Sequence, residues 1–121
     1  MANTFKVVTF AAEPASAGTP YVMYTVATST TTVVLGLVLS NINTTAVTAE
    51  VELVSTTSAR GGTYNVANGT SFLIKDVNIP TGSSLEILSG GKVVLEAGDK
   101  IQVDCSVADK LSGTLSIMEI T

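Results

Sequence analysis

Apolar and polar residues alternate at a period of two along several windows of the chain, the spacing of strands that bury one face. The clearest window sets Val47, Ala49, Val51 and Leu53 against Thr48, Glu50 and Glu52. Ile101, Val103, Cys105 and Val107 repeat the pattern against Lys100, Gln102, Asp104 and Ser106. Both windows predict antiparallel strands with one face in water. The run Val33, Val34, Leu35, Gly36, Leu37, Val38, Leu39 is apolar on both faces, which suits a strand in the middle of a sandwich or one covered by a partner subunit. Gly36 inside it marks either a bulge or a close backbone approach.

Further strands are predicted over 5–10, 21–26, 71–79, 84–88, 92–95 and 114–120. In the 71–79 window the apolar parity changes from Phe72 and Ile74 to Val77 and Ile79, as one extra residue in a β-bulge produces. Turn chemistry separates the windows at 14–20, 41–45, 60–62, Asn68-Gly69, 80–83, 89–91 and 97–99. No long window carries a 3.6 period, so helix is expected to be minor. About eight or nine short strands at this spacing predict an all-β fold, an antiparallel β-sandwich or jelly roll. Residues 1–121 read as a single β domain. Within it, 1–20 can act as an extended N-terminal strand or arm and loop that reaches a neighbouring sheet edge. On that reading 1–19 should be removable with the fold left intact.

Composition narrows the core and the partners. At 121 residues, folding should bury roughly two-thirds of the surface that the unfolded chain exposes. Hydrophobic residues are 45% of the chain, aromatics only 5% and Trp absent, so Val, Ile, Leu and Ala must build the core. Charged residues are 13%, and Thr, Ser and Asn carry solubility in their place. The formal charge of −4 offers no footprint for a phosphate backbone or an anionic membrane, so neither nucleic acid nor membrane is an expected partner. The apolar run 33–39 is far shorter than the roughly 20 residues of a membrane helix, and the first ten residues lack a signal-peptide core. The expected product is soluble and cytosolic. Cys105, the single cysteine, lies in an apolar register and is expected in the core.

The absence of His excludes the Ser/His/Asp and Cys/His nucleophile arrangements and leaves carboxylate, Lys or Tyr chemistry. Glu50 and Glu52 share a strand face, but that face is the polar one of an alternating strand and reads as solvated surface. Asp99, Asp104 and Asp109 recur at a spacing that matches no calcium loop. Gly61-Gly62 and Gly90-Gly91 lack the strand-to-helix context and Lys of a phosphate cradle and read as hairpin glycines. Asn43-Thr44-Thr45 and Asn68-Gly69-Thr70 match the glycosylation tripeptide by chance in a chain read as cytosolic. No enzyme activity, cofactor or metal is expected.

The side chains suited to a partner contact are Phe5, Val7 and Phe10 of the first strand, with Tyr21, Tyr24 and Tyr64, and for the three tyrosines core or rim packing is expected ahead of a ligand platform. Tyr21 and Tyr24 differ in parity and should not share a strand face. Tyr64 with Asn65 and Asn68 would be the sign of a glycan platform.

A succession of phrases carries a resemblance. Tyr24-Thr25-Val26, Val33-Val34-Leu35-Gly36-Leu37 and Ser40-Asn41 are followed by Thr44-Thr45-Ala46-Val47-Thr48 and by Phe72-Leu73-Ile74-Lys75-Asp76-Val77-Asn78-Ile79-Pro80. Then come Gly82-Ser83-Ser84-Leu85-Glu86, Lys92-Val93-Val94-Leu95 and Ala97-Gly98-Asp99-Lys100-Ile101-Gln102-Val103. Over 21–121 the chain resembles small virion structural proteins of tailed bacteriophages, of the cyanophage type. Members of that group usually carry Pro and Gly after the first Tyr-Thr-Val, where this chain has Ala27-Thr28-Ser29. The resemblance implies a capsid decoration (cement) protein, itself a homo-oligomer, often a trimer, that binds the major capsid protein or another virion protein. It also implies a place in the virion after assembly in the bacterial cytoplasm. A tail, neck or fibre module that binds a host glycan is the alternative, and the group supplies no catalytic residue to carry over.

Overall fold

Strand propensity and period-two patterning decide the architecture. The computed structural model describes residues 2–55, 69–88 and 90–121, and among them it holds no helix. The strands are β1 (Asn3–Glu13), β2 (Tyr21–Thr25), β3 (Thr31–Asn41), β4 (Val47–Val54), β5 (Thr70–Ile79), β6 (Ser84–Glu86), β7 (Val93–Leu95), β8 (Lys100–Cys105) and β9 (Leu111–Ile120). They form a five-stranded sheet, ordered β1-β9-β3-β6 with β7 also on β3, and a four-stranded sheet, ordered β2-β8-β4-β5. All named pairings are antiparallel. β1, β3, β5 and β9 are longer than expected, at ten or eleven residues.

The inner faces meet in one core. Val34, Leu37, Leu39, Leu111, Leu115 and Ile117 from the larger sheet pack with Val47, Ala49, Val51, Ile79, Ile101 and Val103 from the smaller one. Cys105 is buried among them, and its burial pushes the thiol pKa up. Burying these aliphatic side chains, at about 0.8 kcal/mol per CH2, is the main stabilising contribution.

Bulges explain how apolar runs fit the two-sided geometry. The β3–β9 register slips between Val34 and Gly36, so burial passes from Thr32 and Val34 to Leu37, Leu39 and Asn41. Gly36 has open space where a Cβ would stand, so it serves the bulge rather than a close approach. The β4–β5 register slips twice, and the extra residues lie on β5, between Val77 and Ile74 and between Ile74 and Phe72. Asp76, inside the first of these, takes a positive φ of 52°. This is the bulge expected from the parity change.

The β3–β4 corner is closed by a buried side chain. Asn41 Nδ2 donates to the carbonyls of Thr45 and Ile79, both at 2.9 Å, and its Oδ1 accepts from the Asn43 N–H at 2.8 Å. A polar group buried at 4% exposure therefore has its hydrogen bonds satisfied, and it ties the larger sheet to β5 of the smaller one.

The N-terminal strand is not a detached arm. β1 pairs with β9 from Asn3 to Glu13, and Phe10 enters the core. Removing 1–19 would strip one edge from β9 and open the core beneath it, so loss of the fold is the expected outcome of this deletion in place of an intact one.

Candidate interaction surface

On β1, alternation sends Val8 and Phe10 inward and Phe5 and Val7 outward, the latter two 72% and 63% exposed. Directly opposed residues of an antiparallel ladder share a face. Phe5 stands opposite Met118, Met118 opposite Val33, and Val33 opposite Val94, which is 62% exposed. One apolar row thus crosses β1, β9, β3 and β7 on the outside of the larger sheet. Beside it, Phe5, Val7, Leu35 and Ser116 line a shallow hollow together with Lys6, with Leu35 placed there by the β3 bulge.

This face carries almost no charge. From Asn3 to Thr9 on β1, from Thr31 to Ser40 on β3 and from Ser112 to Ile120 on β9, every outward position is apolar, Gly, Ser, Thr or Asn. Glu86 of β6, opposite Val38, stands at its margin. Contiguous apolar patches of this kind are more frequent at interaction sites than elsewhere on a protein surface.

The outside of the smaller sheet is its opposite. Glu50 lies directly across from Asp104, a like-charge pair. Lys75 Nζ meets Glu50 Oε1 at 3.2 Å and stands 4.6 Å from the centre of the Phe72 ring. Gln102 Nε2 donates to Glu52 Oε2 at 2.9 Å. Asp104 Oδ1 accepts from the backbone N–H of Gly18 at 3.1 Å and from its neighbour Cys105 at 2.8 Å. Glu50 and Glu52 are thus surface groups with local partners.

A polar latch joins the sheets at one end. Lys6 Nζ lies 2.6 Å from Glu119 Oε1, and the Tyr24 hydroxyl donates to Glu119 Oε2 at 2.6 Å. With that proton committed, the Tyr24 oxygen accepts from the Thr32 hydroxyl at 2.7 Å. Hydrogen bonding from Lys6, then from Tyr24, holds the Glu119 carboxyl below the usual range. Burial, with the Glu119 contact next, pushes the Tyr24 phenol up to about 12.

Phe5 and Val7 therefore lie on open surface, but three of the expected contact residues do not. Phe10 is buried, edge-on to Tyr21 at 5.3 Å between ring centres, and its ring covers Gly113 so closely that a Cβ there would overlap it. Tyr21 and Tyr24 both pack on the core, because the β2 register slips between Val22 and Tyr24. That bulge sets both opposite the inward residues Val103 and Ile101 and overturns the expected difference in face. Tyr64, Asn65 and Asn68 lie outside the described residues. Val33, Leu35, Val94 and Met118 share this face, and only the first two had a signal in the sequence. The signal for the first two was the run at 33–39, apolar on both faces.

The three aspartates serve separate local roles. Asp99 is buried in the β7–β8 turn, where Oδ2 accepts from the Glu96 N–H at 3.0 Å. Asp104 is on the outer face, and Asp109 takes a positive φ of 58° before β9. Among the described residues no group of three or more carboxylate or thiol side chains is placed to hold a metal ion.

No family model matches the chain, and no curated protein matches it. Among solved structures it is similar to a chain from Bacillus endospore appendages, described as forming a family of disulfide-linked pili. The identity is 16% and the TM-score 0.47, over 99% of this chain and 87% of that one.

Proposed function

We propose that the protein is a structural component of a bacteriophage particle, a decoration protein that stabilises the head shell through oligomeric surface contacts. The observation that carries this reading is the apolar row Phe5, Met118, Val33, Val94 on a nearly uncharged sheet face. A clamp works by burying such area against a neighbour, and a symmetric particle multiplies each modest contact through avidity. The resemblance of 21–121 to small virion proteins supports the same reading. Its partners are further copies of itself and the major capsid protein or another virion protein, and it acts without a catalytic group or cofactor.

Cryo-microscopy of intact particles tests this. Density on the head shell that disappears in a Phe5→Asp variant is expected. Density on the tail instead would make it a neck, tail or fibre module, and a particle with no copies bound would overturn a virion role.

A further inference from the structure

We infer that the apolar outer face of β1, β9, β3 and β7 is covered by the same face of a second copy, two sheets packed back to back about a two-fold axis. The inference rests on reading that surface as an assembly contact, but not on the identity of the particle.

Charge selects the occupant. Each copy carries a formal −4, so two copies repel unless the surfaces that meet are neutral. The outside of the smaller sheet is ill suited to meet itself, because Glu50, Glu52, Asp104 and Lys75 put charge across it and would all lose water in the contact. The outside of the larger sheet can meet itself, because its outward positions on β1, β3 and β9 hold no ionisable side chain. An isologous contact also requires a surface complementary to itself, and a row of Phe, Met and Val side chains meets that condition where a charged row does not. Because the row runs straight across the strands, a two-fold axis parallel to the strands, between β9 and β3, returns the row onto itself end for end, with Phe5 of one copy toward Val94 of the other, and superposes the whole face. Sheets stacked in this way sit about 10 Å apart, with the outward side chains filling the space.

The size of the face is adequate. β3 and β9 are eleven and ten residues long, about 35 Å at roughly 3.3 Å per residue. β6 and β7 share one side of β3, so the face is four strand positions wide, about 19 Å at roughly 4.8 Å spacing. Its area is about 650 Å² per copy, or about 1,300 Å² for the pair, within the lower part of the range for specific interfaces. The half bearing the row is apolar, and the half toward Thr9, Ser112 and Ser40 is polar but uncharged. Glu86 at the margin remains in water, as charges at interface rims do.

Sedimentation velocity on the isolated protein across a concentration series tests this without any particle. The natural chain should pass from monomer to dimer as concentration rises, and added salt should leave the dimer unchanged or tighten it. Phe5→Asp and Val94→Asp lie at opposite ends of the row and are exposed in the monomer, so each should keep the monomer's circular dichroism. Each should raise the dimer dissociation constant at least about 100-fold, because burying an unpaired carboxylate costs several kcal/mol. Glu50→Lys on the other sheet should change it less than about twofold, the scale of an exposed charge. If Phe5→Asp disturbs β1, Val94→Asp carries the same test alone. A chain that stays monomeric at every concentration, a closed trimer, or a dimer indifferent to both Asp substitutions would overturn the inference. A monomer that still binds heads through Phe5 would overturn it while leaving the particle role standing. A dimer that no particle binds would remove the particle role alone.

Discussion

The two sheets turn opposite surfaces to water. Outside the four-stranded sheet, Glu50, Glu52, Asp104 and Lys75 form short-range ion pairs and hydrogen bonds, and no broad apolar row crosses the described strands. Outside the five-stranded sheet, Phe5, Met118, Val33 and Val94 line up across the strands with no ionisable side chain at an outward position of β1, β3 or β9. Both sheets cover the same core and use the same alternation. The difference shows that the buried half of each strand answers to folding, while the outward half is free to answer to something else. A charged exterior is adequate for solubility, so an apolar one costs solubility without helping the monomer fold.

The sharpest way to break the comparison is on β1 itself, which carries one phenylalanine on each side. Phe10→Ala should cost about 3–5 kcal/mol in denaturant unfolding of the monomer, the usual loss for a buried ring. Phe5→Ala, at low protein concentration, should cost less than about 0.5 kcal/mol. Equal losses would mean that Phe5 is a folding residue and that the outer row is not spare.

A smaller effect is expected beneath the same strand. Gly113→Ala places a Cβ within the Phe10 ring position, and overpacking of this kind costs about 1–3 kcal/mol. Combining it with Phe10→Leu should recover part of that loss, as a double-mutant cycle would show.

Glu119→Gln should cost about 1 kcal/mol, the worth of a partly solvated hydrogen-bonded ion pair. The pH dependence separates the partners of the latch. Because the folded carboxyl titrates below its unfolded value of about 4.3, its contribution is present above that pH and is lost as pH falls through the folded value. Tyr24 titrates higher when folded, at about 12, so its contribution is complete below about 10 and is lost as pH rises toward 12. Thermal melts across pH should lose the acid limb in Glu119→Gln and the alkaline limb in Tyr24→Phe.

The smallest effect should come from the charged exterior. Asp104→Asn removes the repulsion with Glu50 and keeps an acceptor for the Gly18 N–H. Stability should change by less than about 0.5 kcal/mol, with a weaker dependence on salt. A large loss would show that this face is as constrained as the core.

Much of the fold was legible because strand burial has a period of two. The alternating windows at β4 and β8 are strands with the expected inward residues, and Val107 falls just beyond β8, in the turn. The parity change in β5 and the glycine in β3 mark real bulges, since an extra residue leaves a visible phase shift in an alternating pattern. The β2 bulge was not legible. Val22, Met23 and Tyr24 are all apolar or aromatic, so no phase shift could be seen, and Tyr21 and Tyr24 were assigned to different faces. On β1, Phe5 and Val7 alternate with Val8 and Phe10, and a strand apolar on both sides does not state which side is buried.

By itself the sequence determined the class of fold, the strands and the scarcity of charge, because these follow from local propensity, periodicity and composition. Only the tertiary structure decided that β1 belongs to its own chain's sheet, that Phe10 lies inside and Phe5 outside, and that four residues distant in sequence form one row. Those outcomes depend on register across strands, and register is a property of pairs of segments that neither segment carries alone.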